Sequence, residues 1–441
     1  MKILPKKFLE RMKNRLGADY DDFVSAYQHD AVQSIRLNPQ KKYQELVVSD
    51  SVKWYNPGKF LTEKKQFITD PLWHSGVYYV QESSSMILAD IFKQLYGNDS
   101  PKQALDLCAA PGGKSTLLQT LLANDSVLIA NEVIRHRVQI LKENHIRLGL
   151  SENLIITQND PRNFSGLEEF FDYIQIDAPC SGEGMFRKDK SAVNEWSEAN
   201  CQLCAERQKR IIADIYPALS KEGYLVYSTC TFNPDENEKL IDWAYNQFNF
   251  KSIQLNFNSE WNISEVEYNG VFGYYFYPHK VEGEGLFVSV LKKESGFGLI
   301  GPSAVKRQKP VLIPELIESE NIQNENGILK FETEILSEIK QSVSKKLNLV
   351  YSGIELGELK GKDFIPAQAL ANFHKDIHHF EKVEVDEKTG LEFLRGNDPN
   401  LDLDKKGIRL LTYKGFGLGW IKFLGNRSNN YYPKPWRIRN F

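Results

Sequence analysis

Between residues 102 and 293, short apolar segments alternate with stretches long enough to be helices. The strand candidates are 104–107, 127–131, 154–157, 173–176, 224–227 and 286–291. Near-continuous apolar runs of this length suit strands covered on both faces. Strands alternating with helices predict an α/β core built on a parallel sheet. In such an open sheet, ligands bind along the carboxyl ends of the strands. Whatever chemistry the chain performs is therefore sought in the residues that follow those runs.

A length of 441 residues suits two to four domains. Four segments are expected. Residues 1–98 open with a basic, helical-looking stretch (Lys2, Lys6, Lys7, Arg11, Lys13, Arg15) and read as an α+β unit. Residues 99–295 hold the Rossmann-like core. Residues 296–384 read as a connector or intermediate region, because Pro302, Pro310 and Pro314 lead into an acidic, Asn-rich run at 315–325. Residues 385–441 form a small, mostly β module. No apolar run approaches a membrane span, and the first residues lack the apolar centre of a signal peptide. Five cysteines without framework spacing favour reduced thiols, hence a cytoplasmic protein. A net charge of −3 means that a nucleic acid must be held by local basic patches.

The first strand candidate runs into Leu105-Asp-Leu-Cys108-Ala109-Ala110-Pro111-Gly112-Gly113-Lys114-Ser-Thr, a Gly-rich turn and a helix start. Glycine allows close backbone approach, and the helix N-terminus presents unpaired N–H groups. A P-loop requires glycine where Cys108 stands, and a dinucleotide loop requires G-x-G-x-x-G; neither is present. An S-adenosylmethionine site tolerates this looser turn. Glu132 ends the next strand twenty residues past Gly112, the spacing of a ribose-binding acid. Asp160, after the third strand, is placed to accept from an adenine amino group. The plain alternative is a βα turn with surface acids.

Asp177-Ala-Pro-Cys180 follows the fourth strand and Ser-Thr-Cys230 ends the fifth. Pro179 stiffens the first turn, while Gly182 and Gly184 permit a loop that packs against a substrate. Asn233-Pro234-Asp-Glu236 reads as a helix start, with Asn233 as N-cap and Glu236 reaching back. A helix beginning there lowers the Cys230 thiol pKa. A lone cysteine at a strand end is usually a small buried hydrophobe. Two of them beside an aspartate and a cofactor loop point to covalent chemistry.

Taken together, Cys108-Ala-Ala-Pro-Gly-Gly-Lys114, Asp177-Ala-Pro-Cys180-Ser-Gly-Glu-Gly-Met-Phe-Arg-Lys188 and Tyr227-Ser-Thr-Cys230-Thr-Phe-Asn-Pro-Asp-Glu-Asn-Glu238 resemble the motifs of the Nop/Sun family. These are RNA cytosine-5 methyltransferases that use S-adenosylmethionine. The resemblance covers residues 75–295, and the flanks match more weakly. The segment Gly76-Val-Tyr-Tyr-Val-Gln81-Glu-Ser-Ser-Ser-Met86 and a PUA-like C-terminal module are most similar to the bacterial RsmF branch, which methylates small-subunit ribosomal RNA. The resemblance implies that Cys230 is the nucleophile and that Cys180 assists product release. It places Lys114 and Asp177 near the target base and implies that residues 1–98 bind RNA. It assigns Cys108, Ala109, Ala110, Pro111, Gly112, Gly113, Lys114, Glu132, Arg137, Asp160 and Asp177 to the cofactor. On chemical grounds Cys180 is the rival nucleophile, because DNA cytosine-5 enzymes place theirs in a Pro-Cys pair.

From Leu401 to Phe441 nine basic residues face Asp402 and Asp404, interleaved with Tyr413, Phe416, Trp420, Phe423, Tyr431, Tyr432 and Trp436. Cations among aromatics suit RNA, although many of these rings must fill a small core. Cys201 and Cys204 lie in a helical stretch expected over 191–219 and read as packing residues, since zinc requires four ligands. His374, His378 and His379 read as a helix surface. Arg187, Lys188 and Lys190 read equally as phosphate contacts or as a solvated run. A monomer acting on ribosomal RNA or the small ribosomal subunit is expected, without metal. Transfer RNA is the alternative substrate, and a catalytically idle RNA-binding or assembly factor is the alternative class.

Overall fold

The computed structural model describes residues 4–294, 322–361, 363–373 and 380–439. The chain begins with α1 (Lys6–Leu16) and α2 (Tyr20–Ala26). A small antiparallel sheet follows, formed by β1 (Ser34–Leu37), β2 (Ser51–Val52), β3 (Tyr55–Phe60) and β4 (Tyr78–Val80), with α3 (Pro71–His74) before the last strand. Phe8 and Met12 are four residues apart, so they share one face of α1, and both are fully buried.

The core comprises α4 (Leu88–Tyr96), β5 (Gln103–Asp106), α5 (Gly113–Leu121), β6 (Val127–Asn131), α6 (Arg135–Leu148), β7 (Leu154–Thr157), β8 (Phe171–Asp177), α7 (Lys190–Glu195), α8 (Glu198–Ile215), β9 (Leu219–Thr229), α9 (Glu238–Gln247) and β10–β13 (Phe250–Ser252, Ser264–Tyr268, Val271–Phe276, Leu286–Lys293). All five residues of β6 are buried, as an interior strand requires. The strands β7-β6-β5-β8-β9 run parallel, as the alternation predicts. The sixth candidate, β13, runs antiparallel to β9, so the sheet is mixed. Two reversals build this edge: Asn269-Gly270, both at positive φ (51° and 84°), turn β11 into β12, and the connection over 277–285 turns β12 back into β13. The helical stretch expected over 191–219 is two helices, because Ser197 caps α8 by accepting from the Asn200 N–H.

Composition reads residues 296–384 as a connector. The prolines at 302, 310 and 314 lie outside the described residues, as do Lys2 and the three histidines 374, 378 and 379. From 322 onward the chain is ordered into elements. β14 (Ile322–Glu325), β15 (Ile328–Phe331), β17 (Ile354–Lys360) and β18 (Asp363–Pro366) form an antiparallel sheet carrying α10 (Glu334–Val343) and α11 (Gln368–Asn372). Between them, β16 (Leu349–Ser352) pairs antiparallel with β7 and extends the central sheet to ten strands among the described residues. Apolar residues hidden in a polar composition (Ile322, Leu329, Phe331, Ile354, Leu356) supply its core.

The C-terminal unit is β19 (Lys382–Glu384), α12 (Glu387–Arg395), β20 (Gly407–Tyr413), β21 (Phe416–Phe423) and β22 (Ser428–Asn430), in that sheet order without the helix. Trp420, Phe423 and Tyr432 are buried, so these rings build the core rather than stack on bases. Trp420 Nε1 donates to the Ala367 carbonyl at 2.9 Å, and Tyr432 Oη lies 2.9 Å from His74 Nδ1. The unit is thus joined to both the intermediate and the N-terminal elements.

Candidate active site

The carboxyl ends of β5, β6, β7, β8 and β9 deliver Cys108, Glu132, Asp160, Asp177 with Cys180, and Cys230 to one edge of the sheet. The turn after β5 is held from outside. The Ala109 N–H donates to the Asn131 carbonyl at 2.8 Å. The Ala110 carbonyl accepts from Arg137 Nη2 at 2.7 Å and the Pro111 carbonyl from Asn144 Nδ2 at 2.7 Å. The Ala110-Pro111 bond is cis. Gly112 caps α5 at φ 119°, and no side chain caps the helix, which leaves its first N–H groups for a ligand. Burial and the neighbouring acids push the Cys108 thiol up, so it remains a neutral wall.

Glu132 is buried, accepts from the Ile134 N–H at 3.0 Å and pairs with Arg137 Nη1 at 3.0 Å. A carboxylate has about four acceptor positions, so capacity remains for a diol. Arg137 ties this acid to the loop at Ala110 and so fixes the width of the cleft. Asp160 caps the turn after β7 by accepting from the Arg162 N–H at 3.2 Å, and it pairs with Arg162 at 3.0 Å and Arg210 at 3.6 Å. Its pKa is lowered, first by the Arg162 hydrogen bond. The donor set fits an adenosyl sulfonium ligand: an uncapped helix start, a buried acid on the adjacent strand and a further carboxylate on the next.

Lys114 and Asp177 form an ion pair at 2.8 Å, and Ser228 Oγ donates to Asp177 at 3.0 Å. Burial opposes the Lys114 charge, yet Asp177 outweighs it and holds the pKa above its ordinary value. Asp106 lies beneath this pair. Burial and the Asp177 charge push its carboxyl up to about 8. Cys180 Sγ and Cys230 Sγ are 3.2 Å apart. The hydrogen bond to Cys230, followed by burial, drives the Cys180 pKa well above that of a free thiol. Either sulfur can be the donor in this contact.

Residue spacing does not reveal what keeps the two thiols together. Glu183, three residues past Cys180, accepts from the Phe232 N–H of the other loop at 3.1 Å. Glu236, on the Cys230 side, accepts from the Ser181 N–H at 2.9 Å and from Ser181 Oγ at 2.5 Å. Each loop therefore carries a buried carboxylate that latches a backbone N–H of the other. The Gly184 N–H also donates to the Cys230 carbonyl at 2.8 Å. A Cβ on Gly184 would stand 3.0 Å from that same oxygen, so this glycine serves contact with the protein's own backbone rather than with a substrate.

Two sequence expectations change here. Helix α9 begins at Glu238 rather than directly after Asn233. Asn233 does accept from the Asp235 N–H at 3.1 Å, but Tyr227 Oη takes the Glu236 carbonyl and Asn237 is drawn to Thr229 and Thr231, which holds Asn237 out of helical geometry. Eight positions separate Cys230 from the helix, so the dipole, which acts within the first turn, does not reach it. Glu236 holds the other loop rather than closing a capping box. The run after the Cys180 loop also divides: the Arg187 side chain is buried against Glu284 at 3.5 Å, while Lys188 and Lys190 are exposed. Cys201 and Cys204 are buried on the inner face of α8.

The family described as "16S rRNA methyltransferase RsmB/F" matches residues 95–292. The "N-terminal domain of 16S rRNA methyltransferase RsmF" matches 4–83, and the "Methyltransferase RsmF PUA domain" matches 380–438. Ribosomal RNA small subunit methyltransferase F of Pectobacterium atrosepticum is 30% identical, over 98% of this chain and 95% of that protein. The protein of the same name from Aliivibrio fischeri strain MJ11 is 30% identical, over 98% and 97%. Among solved structures, a methyltransferase homologue from Pyrococcus horikoshii is 27% identical with a TM-score of 0.56, covering 66% of this chain and 95% of that one. NSun6 from the same organism, solved with SFG, shares the fold at 20% identity and a TM-score of 0.56, covering 67% of this chain and 100% of that one. With the loop, the acids and the paired thiols on one sheet edge, the chain belongs to the RsmB/F family of S-adenosylmethionine-dependent RNA methyltransferases, carrying RsmF-type N-terminal and PUA domains about the core.

Proposed function

We propose that this chain methylates carbon 5 of cytidine in small-subunit ribosomal RNA through a covalent bond between Cys230 Sγ and carbon 6 of the base. The carrying observation is the 3.2 Å approach of Cys180 and Cys230 beside the Lys114–Asp177 pair. Carbon 5 of cytosine is too weak a nucleophile to react unaided, and covalent catalysis divides that difficulty. The Cys230 thiolate, stabilised by the Cys180 S–H, adds to carbon 6. The displaced electron pair moves toward N3, where the Lys114–Asp177 pair supplies a proton, and carbon 5 becomes enamine-like. S-adenosylmethionine, held by the loop from Cys108 to Lys114 with Glu132 and Asp160, supplies the methyl group. Once Cys230 is bonded to carbon, the hydrogen bond that raised the Cys180 pKa is gone. Cys180 then gives its proton to solvent and its thiolate takes the one on carbon 5; the electron pair of that C–H bond re-forms the carbon 5–carbon 6 double bond as Cys230 leaves as a thiolate, and N3 returns its proton to the pair. The base must leave its stack to reach this edge.

Substitution at each cysteine separates the roles. Cys180→Ala accumulates a protein–RNA adduct on denaturing gels, joined through Cys230. Cys230→Ala forms none and transfers no labelled methyl group. Full methylation by Cys230→Ala would sink the assignment. The names of the relatives support ribosomal RNA as substrate. Bisulfite sequencing of a deletion strain is expected to show lost 5-methylcytidine in small-subunit ribosomal RNA, and loss confined to transfer RNA would redirect the reading.

A further inference from the structure

The basic residues of α1 belong to the segment that the resemblance reads as RNA-binding. Two of them face inward instead. Arg11 Nη2 pairs with the fully buried Glu183, and its guanidinium lies 5.9 Å from the centre of the Trp196 ring, whose Nε1 donates to the same carboxylate at 2.9 Å. Arg15 pairs with Glu238, the first residue of α9, at 2.9 Å and donates to Tyr277 Oη at 2.8 Å. Phe8 and Phe186, the latter in the loop after Cys180, meet edge to face at 5.2 Å. The N-terminal helix therefore rests on the backs of both cysteine loops.

Glu183 is the hub of this arrangement. Its Oε2 accepts from the Phe232 N–H, two residues beyond Cys230, and its Oε1 meets Arg11 and Trp196. A carboxylate without exposed surface needs a countercharge to stay ionised. Arg11 is the cation that the structure pairs with it. We infer that Arg11 is a positioning residue for methyl transfer: by neutralising Glu183 it keeps the hydrogen bond that holds the Cys230 loop against the Cys180 loop. On this view α1 acts on the rate of chemistry and not on RNA affinity. The inference rests on the assignment of Cys230 as nucleophile.

The test uses the full chain, with single-turnover methyl transfer and saturation by RNA measured separately. A displacement near 1 Å at a reacting group costs about 100-fold in rate, so Arg11→Ala should lower kcat by about 10- to 100-fold. The RNA KM should stay within about twofold, because a group that does not touch RNA contributes no uniform binding. Arg11→Lys, which keeps the charge, should recover most of the loss. Glu183→Gln keeps an acceptor for the Phe232 N–H but removes the charge. If the two residues act through one link, Arg11→Met combined with Glu183→Gln should lose no more than the worse single variant. Urea midpoints establish that each variant is folded. A raised KM with unchanged kcat would make Arg11 an RNA contact and overturn the inference. So would losses that multiply in the double variant. If instead the wild-type chain methylates but Cys230→Ala is equally active, the nucleophile assignment has failed while the Arg11 measurements still stand.

Discussion

At the residue scale, the site contrasts acids that are charged with one that is not. Asp177 faces Lys114, whereas Asp106 is buried beneath them with a pKa of about 8 and one oxygen lacking a hydrogen-bond partner among the described residues. An unfolded aspartate titrates near 3.9, so between about pH 4 and pH 8 the folded chain binds a proton that the unfolded chain releases. Stability from this group therefore falls as pH rises through that window. Asp106→Asn, equal in shape and always neutral, removes the effect. Its urea midpoint should gain on the wild type progressively from about pH 5 to pH 8 and stay level above about pH 9, and a constant difference would contradict the burial argument. That the 108–114 turn, Glu132, Asp160, Asp177 and both cysteines share one sheet edge is legible in the sequence, because motif positions after strand ends report that edge directly. Glu183, Glu236 and Arg137 are less so. Glu236 satisfies the pattern of a helix cap, and only the folded chain brings Ser181 closer than its own helix start. Arg137 carries a cofactor role by resemblance, yet what it holds in the structure is Glu132 and the Ala110 carbonyl.

At the scale of elements, the five parallel strands are readable because each carries a short, mostly apolar run and is separated from the next by helix-length chain. The antiparallel edge is signalled by Asn269-Gly270, the strongest short hairpin cue, between the mostly polar Ser264–Tyr268 and the aromatic Val271–Phe276. The intermediate sheet is hidden by its own composition. Burial alternates along Ile328–Phe331, and Ile322–Glu325 holds a single apolar residue, so the average looks like linker. The two loops beyond β8 and β9 form an element of their own, latched in both directions. Gly184→Ala forces a methyl group against the carbonyls of Cys230, Glu284 and Gly285 at 3.0, 3.1 and 3.2 Å. Overpacking of this kind costs roughly 1–3 kcal/mol. The expected outcome is a lower urea midpoint together with slower adduct formation in the Cys180→Ala background. Slower adduct formation without any loss of stability would mean that the loop yields rather than resists.

For the whole molecule, charge is sorted by place. The arginines of α1 are spent inside, while Lys405, Lys406 and Arg427 of the C-terminal unit are exposed. Replacing all three by Gln should flatten the dependence of RNA affinity on salt by about one unit of log–log slope for each phosphate no longer neutralised. Filter binding between low and moderate salt measures it, and an unchanged slope would move the RNA path elsewhere. Deleting the unit is a poorer experiment, since Trp420 and Tyr432 are part of its attachment to the rest. The inward arginines carry one more consequence, in the order of synthesis. Arg11 and Glu183 are 172 positions apart, and Arg15 and Glu238 are 223 apart. The helix that rests on the two cysteine loops is made before them, and its partners Glu183, Phe186 and Glu238 are made much later. Until then Phe8 has only nearby rings such as Phe23 and Tyr27 to pack on, so a nascent chain gains its sheet before the two cysteine loops gain their support.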